Sequence, residues 1–346
     1  MNCFRDFCTT LRQMVCSITQ TATTALLTTL VLGMAGACKE KPAEKAQVRT
    51  FPLVSVPSVL SQNEEGARDF TLRHYWDRFA DTSLHHLRCD SLYIGGVAKE
   101  DLEQAFANWL YVMTEAGPGS YEGAIGSLYD RLVLCEQADS SSNIYEGTVD
   151  IACRYLYDPN SPLRDEEMYL PLCRRLAESP LQDSLHRAQY AKQAANCSLN
   201  RIGTKAADFA FSDKNGRIRT LYGIKADWTL LFFSNPGCHA CKDIIETLKA
   251  TPGLDEAIAQ RRLAVVNVYI DEDMTGWYDY MPYYPDKWYN GYDHNLVIRT
   301  DHLYDVRAIP SLYLLDKEKK VVLKDAPENR MYHQLSEIFG PSNPVK

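Results

Sequence analysis

Residues 230–249 read LLFFSNPGCHACKDIIETLK, and the order of chemistry along them decides how the rest of the chain is read. Leu230-Leu231-Phe232-Phe233 is an apolar run of the length of a buried strand, and Lys242 to Lys249 is a helical run. Between them stand Cys238 and Cys241, two thiols separated by two residues. A helix start leaves unpaired backbone N–H groups and the positive end of the helix dipole near the first sulfur. Both favour thiolate over thiol, and the thiolate is the form that attacks a disulfide. The second thiol lies one turn along, within reach to displace a mixed disulfide. The same spacing is half of a zinc site. No second CxxC and no HxxxH accompanies it, so a redox pair is favoured over metal.

A chain of 346 residues suggests two domains after processing, with length for two cores. Hydrophobic residues at 45% and charged residues at 24% are an ordinary globular balance. A formal net charge of −8 leaves no broad basic footprint, which argues against nucleic acid as a partner. Eleven cysteines do not make a small disulfide scaffold, but they make the compartment matter.

Residues 1–37 read as a signal peptide of lipoprotein type. Arg5 and Arg12 flank the start, and no charge follows from Met14 to Ala37. The apolar part, Ala25 to Ala35, is short for a spanning helix and ends in Ala35-Gly36-Ala37-Cys38. This ending resembles a bacterial lipobox, which makes Cys38 the expected lipid-bearing first residue of the mature protein. Ala35 stands where Leu is usual, and ordinary signal-peptidase cleavage after Ala37 is the alternative. Either way the folded part is expected outside the cytoplasm, facing the periplasm, where disulfides persist. Residues 38–61 read as tether and linker: KEKPAEKAQ over 39–47 is polar, and 48–60 is Pro- and Val-rich without helical period.

From 62 to 200 the pattern is helical throughout. Phe70, His74 and Trp76 to Phe79 fall on one amphipathic segment, and Leu102, Phe106, Trp109, Leu110 and Met113 recur at three and four residues. Gly117-Pro118-Gly119, Asp158-Pro159-Asn160-Ser161-Pro162 and Ser179-Pro180 break the helices, and Asp165 is placed to cap the one that follows it. Near Gly203 the character changes. Phe209 to Phe211 and Arg217 to Leu221 predict a hairpin, Thr229 to Phe233 a central strand, and Leu254 to Arg261 a short helix. Leu263 to Ile270 predicts another strand, Ser311 to Leu315 with Val321 to Leu323 a second hairpin, and Asn329 to Phe339 a closing helix. The expected architecture is an all-α N-terminal domain over 62–200, then an α/β domain over 203–346 with a mixed central sheet flanked by helices.

Residues 203–340 resemble the extracytoplasmic thioredoxin-like reductases of the TlpA/ResA kind. The resemblance rests on Ala207-Asp208-Phe209, the hairpin before the central strand, Cys238-His239-Ala240-Cys241-Lys242 and Ile309-Pro310-Ser311. It implies that Cys238 and Cys241 are the catalytic pair. It also implies that Pro310, preceded by Ile309 and joined by a cis peptide bond, faces them and shapes the groove for a substrate chain. Tyr75 to Phe79, Asp158 to Arg164 and Asn235 to Cys241 also resemble an uncharacterised helical domain (DUF5106-like) fused to thioredoxin-like domains in Bacteroidota lipoproteins. Two departures stand out. Gly237 occupies the place of the usual Trp. Phe232 occupies that of a buried acid that helps deprotonate the second cysteine, so another group or water would take that proton. His239 is a candidate for tuning the pair, since an imidazolium beside Cys238 would stabilise thiolate; a solvated, nearly neutral role is the alternative.

Other patterns weigh less. His294 and His302 read as surface or capping residues rather than copper ligands. Asn235 stands where a peroxidase needs Thr. The aromatic stretch Trp277 to Tyr292 is either a recognition wall near the groove or an insertion packing its own small core against the helical domain. The second reading is favoured. Cys89, Cys135, Cys153, Cys173 and Cys197 are odd in number, and their pairing is open.

The functional expectation is a membrane-tethered thiol–disulfide oxidoreductase, reducing substrate disulfides with no metal or nucleotide cofactor. Its partners would be protein thiols and disulfides, an upstream electron donor, and the membrane through Cys38. The alternative is a lipoprotein whose helical domain binds a partner while the thioredoxin fold serves as scaffold.

Overall fold

The computed structural model describes residues 46–60 and 62–340. The expected signal peptide, Cys38 and most of the polar tether lie outside them. Among the described residues no helix is long and apolar enough to cross a membrane.

The helical half comprises α1 (Glu64–His74), a hairpin of β1 (Tyr93–Ile94) and β2 (Val97–Ala98), α2 (Lys99–Ala116), α3 (Tyr121–Ala138), α4 (Ile144–Leu156), α5 (Glu166–Glu178) and α6 (Ser184–Cys197). The stripe read from sequence is the buried face of α2: Leu102, Phe106, Trp109, Leu110 and Met113 join one core with α3, α4 and α5. Asp165 caps α5, its Oδ1 accepting the N–H groups of Glu167 at 2.9 Å and Met168 at 3.0 Å. Gly117, at φ +80°, ends α2.

Three expectations change here. α1 stops at His74, and Trp76 and Phe79 lie beyond it in turns that pack around Phe51. Phe51 belongs to the segment read as linker, which is anchored at its start. Gln47 bridges to Leu87, and Arg49 donates to the carbonyls of Gly95 (2.8 Å), Arg78 (3.1 Å) and Phe79 (2.6 Å). One arginine serving three carbonyls carries no periodic signal, so pattern reading misses it. The third change is the β1–β2 hairpin inside a region read as all helix. Gly95 and Gly96, at φ +52° and +79°, supply the left-handed pair that a two-residue turn needs. A Cβ at Gly95 would sit 2.6 Å from Ile144 Cγ1. Gly95→Val is therefore expected to cost about 2 kcal/mol or more, read as a lowered urea midpoint at unchanged slope.

The second half comprises β3 (Ala210–Asp213), β4 (Ile218–Thr220), β5 (Trp228–Phe233), α7 (His239–Ala250), α8 (Leu254–Ala259), β6 (Leu263–Tyr269), α9 (Met274–Tyr280), β7 (Tyr289–Tyr292), α10 (Val297–Thr300), β8 (Ser311–Leu315), β9 (Val321–Leu323) and α11 (Glu328–Phe339). Its seven strands run in the order β4-β3-β7-β6-β5-β8-β9. β5, β6 and β7 are parallel to one another and the remaining pairings are antiparallel. β5 and β6 are apolar almost throughout because both faces of the sheet are covered. Leu230 and Phe232 face α7 and α11 with Val265, Leu312 and Leu314. Leu231 and Phe233 face the opposite core with Val266, Val268, Tyr313 and Phe209.

The aromatic stretch departs from the reading favoured for it. Tyr289–Tyr292 is a strand of the sheet, paired with Val266 to Tyr269 of β6. That pairing carries the residues before it over the α7 face, where Trp277, Tyr284 and Trp288 are buried in the core of this half rather than against the helical one. The two halves form one compact unit. Buried ion pairs help join them, including Lys324 with Glu166 at 2.7 Å.

Candidate active site

The amphipathic pattern of α7 separates the two thiols. Cys241, Ile244, Ile245 and Leu248 lie at helical spacing on the buried face. Cys238, the N-cap residue, stays half-exposed while Cys241 is 2% exposed. The Cys241 N–H donates to Cys238 Sγ at 3.2 Å, a hydrogen bond that strengthens when the sulfur carries charge. Gly237 sets up the turn with φ +72°, and nothing lies within 4 Å of where its Cβ would be. Backbone conformation, not crowding, favours glycine in the place of the family's Trp.

Burial, followed by the neighbouring Cys238 sulfur, pushes the Cys241 thiol up, against an opposing hydrogen bond from the Asn235 backbone N–H. Near about pH 7, iodoacetamide is therefore expected to alkylate Cys238 in preference to Cys241 by at least about tenfold, measured by peptide mass spectrometry. The same shift gives an alkaline limit to the dithiol form. Unfolded thiols ionise first, at about pH 8.5, so stability falls as pH rises from there toward the folded Cys241 value.

Strand pairing brings the proline loop to the same end of the sheet. β8 runs antiparallel to β5 with Ser311 opposite Phe233, so Ile309 and Pro310 enter where β5 leaves toward Cys238. The Ile309–Pro310 peptide is cis, and Ile309 packs with Cys238 against the core that contains Cys241. His239 lies apart from this cluster. Its ring is 90% exposed and Nδ1 is 3.0 Å from Asp243 Oδ2, one turn along. An imidazolium beside that carboxylate would present little net charge to Cys238, which favours the solvated reading.

Phe232 is fully buried under α7, leaving no acid in that place. Polar groups occur instead one pleat further along the same face. Ser234 Oγ donates to Asn267 Oδ1 at 2.5 Å and lies 3.4 Å from Tyr284 Oη, and Asn267 Nδ2 donates to Asn290 Oδ1 at 3.0 Å. Burial pushes Tyr284 up to about 12, opposed by its hydrogen bonds to Ser234 and Asn267. Tyr280 is raised by burial first and then by the charges of Cys241 and Cys238, and it packs against the core that contains Cys241. Sequence reading singled out Tyr280 and Tyr284 only as part of the aromatic stretch and missed Ser234, Asn267 and Asn290. Their signal was polar side chains interrupting apolar strands, and tyrosines whose destination depended on the unseen β7. Among the described residues, no group of three His, Cys, Asp or Glu side chains is placed to hold a metal ion. His302 Nε2 lies 2.9 Å from Asn196 Oδ1 of α6.

Residues 32–200 match the family model described as a domain of unknown function, DUF5106. A thioredoxin-like protein from Bacteroides caccae ATCC 43185 is 35% identical over 84% of this chain and 99% of that one, with a TM-score of 0.71. The chain belongs to the thioredoxin-like proteins. Also similar is the C-terminal domain of an uncharacterized protein from Bacteroides fragilis NCTC 9343, at 47% identity over 40% of this chain and 98% of that one, TM-score 0.38. The thioredoxin domain of a thiol-disulfide oxidoreductase from Bacteroides vulgatus is 19% identical over 40% and 98%, TM-score 0.36. No curated protein matches. This thioredoxin-like protein thus pairs a DUF5106 region with a redox-type fold.

Proposed function

We propose that the protein is a membrane-tethered, extracytoplasmic thiol–disulfide oxidoreductase that reduces substrate disulfides. The observation that carries this reading is the asymmetry of the thiols: an accessible Cys238 at a helix start, a buried Cys241 one turn on, and Ile309–Pro310 at the same sheet end. Cys238 thiolate attacks one sulfur of a substrate disulfide, forms a mixed disulfide and expels the other sulfur as a thiolate. Cys241 loses its proton to water or to the departing thiolate and attacks Cys238 Sγ. The second substrate sulfur is released, and a Cys238–Cys241 disulfide remains. Two electrons have passed to the substrate, and a dithiol donor restores them. Beyond its two cysteines the reaction needs only that donor. Cys38, lipidated at the mature N-terminus, would hold the protein at a bacterial membrane.

The test is Cys241→Ala. Without the resolving thiol, mixed disulfides with Cys238 should accumulate on non-reducing gels and disappear on reduction. Absence of adducts under every growth condition would overturn the reading. A potential of about −270 mV for the wild-type pair would support reduction, whereas about −120 mV would mean that the protein forms disulfides instead.

A further inference from the structure

Resting on the thiol–disulfide reading, we propose that the helical half positions the substrate groove: Glu166, acting through Arg307, holds the loop that carries Ile309 and Pro310. Glu166 is the first residue of α5, and its carboxylate is buried. Arg307 Nη2 donates to Glu166 Oε1 at 2.9 Å and to Asp325 Oδ2 at 3.1 Å. The guanidinium also donates to the Tyr157 carbonyl and lies over the Tyr157 ring, 4.1 Å from its centre. Asp325 Oδ1 accepts the hydroxyl of Ser311, the residue after Pro310, at 2.7 Å. Pro310 is therefore bracketed: Arg307 before it and Ser311 after it share Asp325, and Arg307 is fastened to the helical half.

The neighbouring contacts converge on the same place. Arg164 donates to the carbonyls of Asp325 (3.0 Å) and Ala326 (3.1 Å), and Lys324 Nζ pairs with Glu166 Oε2 at 2.7 Å. Arg164, Arg307 and Lys324 balance Glu166, Asp305 and Asp325, so the buried cluster is neutral as a whole. Burial limits screening, so such charges have narrow geometric tolerance and suit the fixing of a loop. Arg307 is a positioning residue, since none of its contacts is to Cys238 or Cys241.

Glu166→Gln keeps the side-chain size and removes the charge. With insulin as the disulfide substrate, KM should rise by about tenfold while kcat changes by less than about threefold. The rate with the small disulfide 5,5′-dithiobis(2-nitrobenzoate), which needs no groove, should stay within about twofold. Hydrogen exchange should show the amides of Arg307, Ala308, Ile309 and Ser311 exchanging about tenfold faster, with α7 unchanged. Unchanged loop protection overturns the proposal, as does an equal loss with both disulfides. The exchange measurement decides the positioning even if the wild-type protein reduces no insulin, an outcome that would count against the thiol–disulfide reading alone. Should Glu166→Gln fail to fold, Arg307→Lys keeps the charge, loses the planar fork and is read by the same assays.

Discussion

Cys238→Ser is expected to lower the rate of protein-disulfide reduction by at least about a thousandfold, to the level of the uncatalysed exchange. The reason is chemical and local. A serine hydroxyl fills nearly the same space at the start of α7 and can still accept the Cys241 N–H, but it cannot form the mixed disulfide. Cys241 is no substitute, because it is 2% exposed and burial holds it as a neutral thiol. The fold should survive, since Cys238 is a half-exposed cap whose hydrogen-bonding role serine reproduces. The measurement is turnover of a protein disulfide with a dithiol donor in excess, alongside thermal unfolding. Retention of more than about a tenth of the wild-type rate would move the chemistry away from Cys238.

Lys324→Ala is expected to destabilise the protein by about 3–5 kcal/mol, even though Lys324 is remote from the thiols in sequence. Its side chain is 2% exposed, and its ammonium pairs with Glu166 at 2.7 Å and donates to the carbonyls of Cys197 at 2.7 Å and Leu199 at 2.5 Å. Truncation would strand the buried Glu166 charge with less compensation and leave the Cys197 and Leu199 carbonyls short of a donor. The pair itself is not a net source of stability, because the desolvation of both ions offsets their attraction. Lys324→Met combined with Glu166→Gln is therefore expected to recover part of the loss. Chemical denaturation of the three proteins checks this. A loss below about 1 kcal/mol for Lys324→Ala would mean that water reaches the network.

What the sequence determined by itself was whatever depends on neighbours along the chain. The spacing of Cys238 and Cys241 at a helix start, the stripe of α2, the cap at Asp165 and the apolar run of β5 are local patterns with local causes. The structure carries each of them at the residues expected. Tertiary structure decided what depends on partners distant in the chain. β7 forms between Val266 to Tyr269 of β6 and Ser212 to Asp213 of β3, and that placement, not the composition of Trp277 to Tyr292, buries Tyr284 in the core that contains Cys241. Residues 47–51 became part of the helical half through Arg49 and Phe51, whose partners come from the turn after α1 and from the β1–β2 hairpin. His239 lay beside Cys238 in sequence, yet helical geometry places it one turn from Asp243 and in solvent. The contact of Glu166 with Arg307 spans 141 residues. No periodicity records such a pair, because a charge buried at an interface is stabilised by the partner it meets, and only the folded chain supplies that partner.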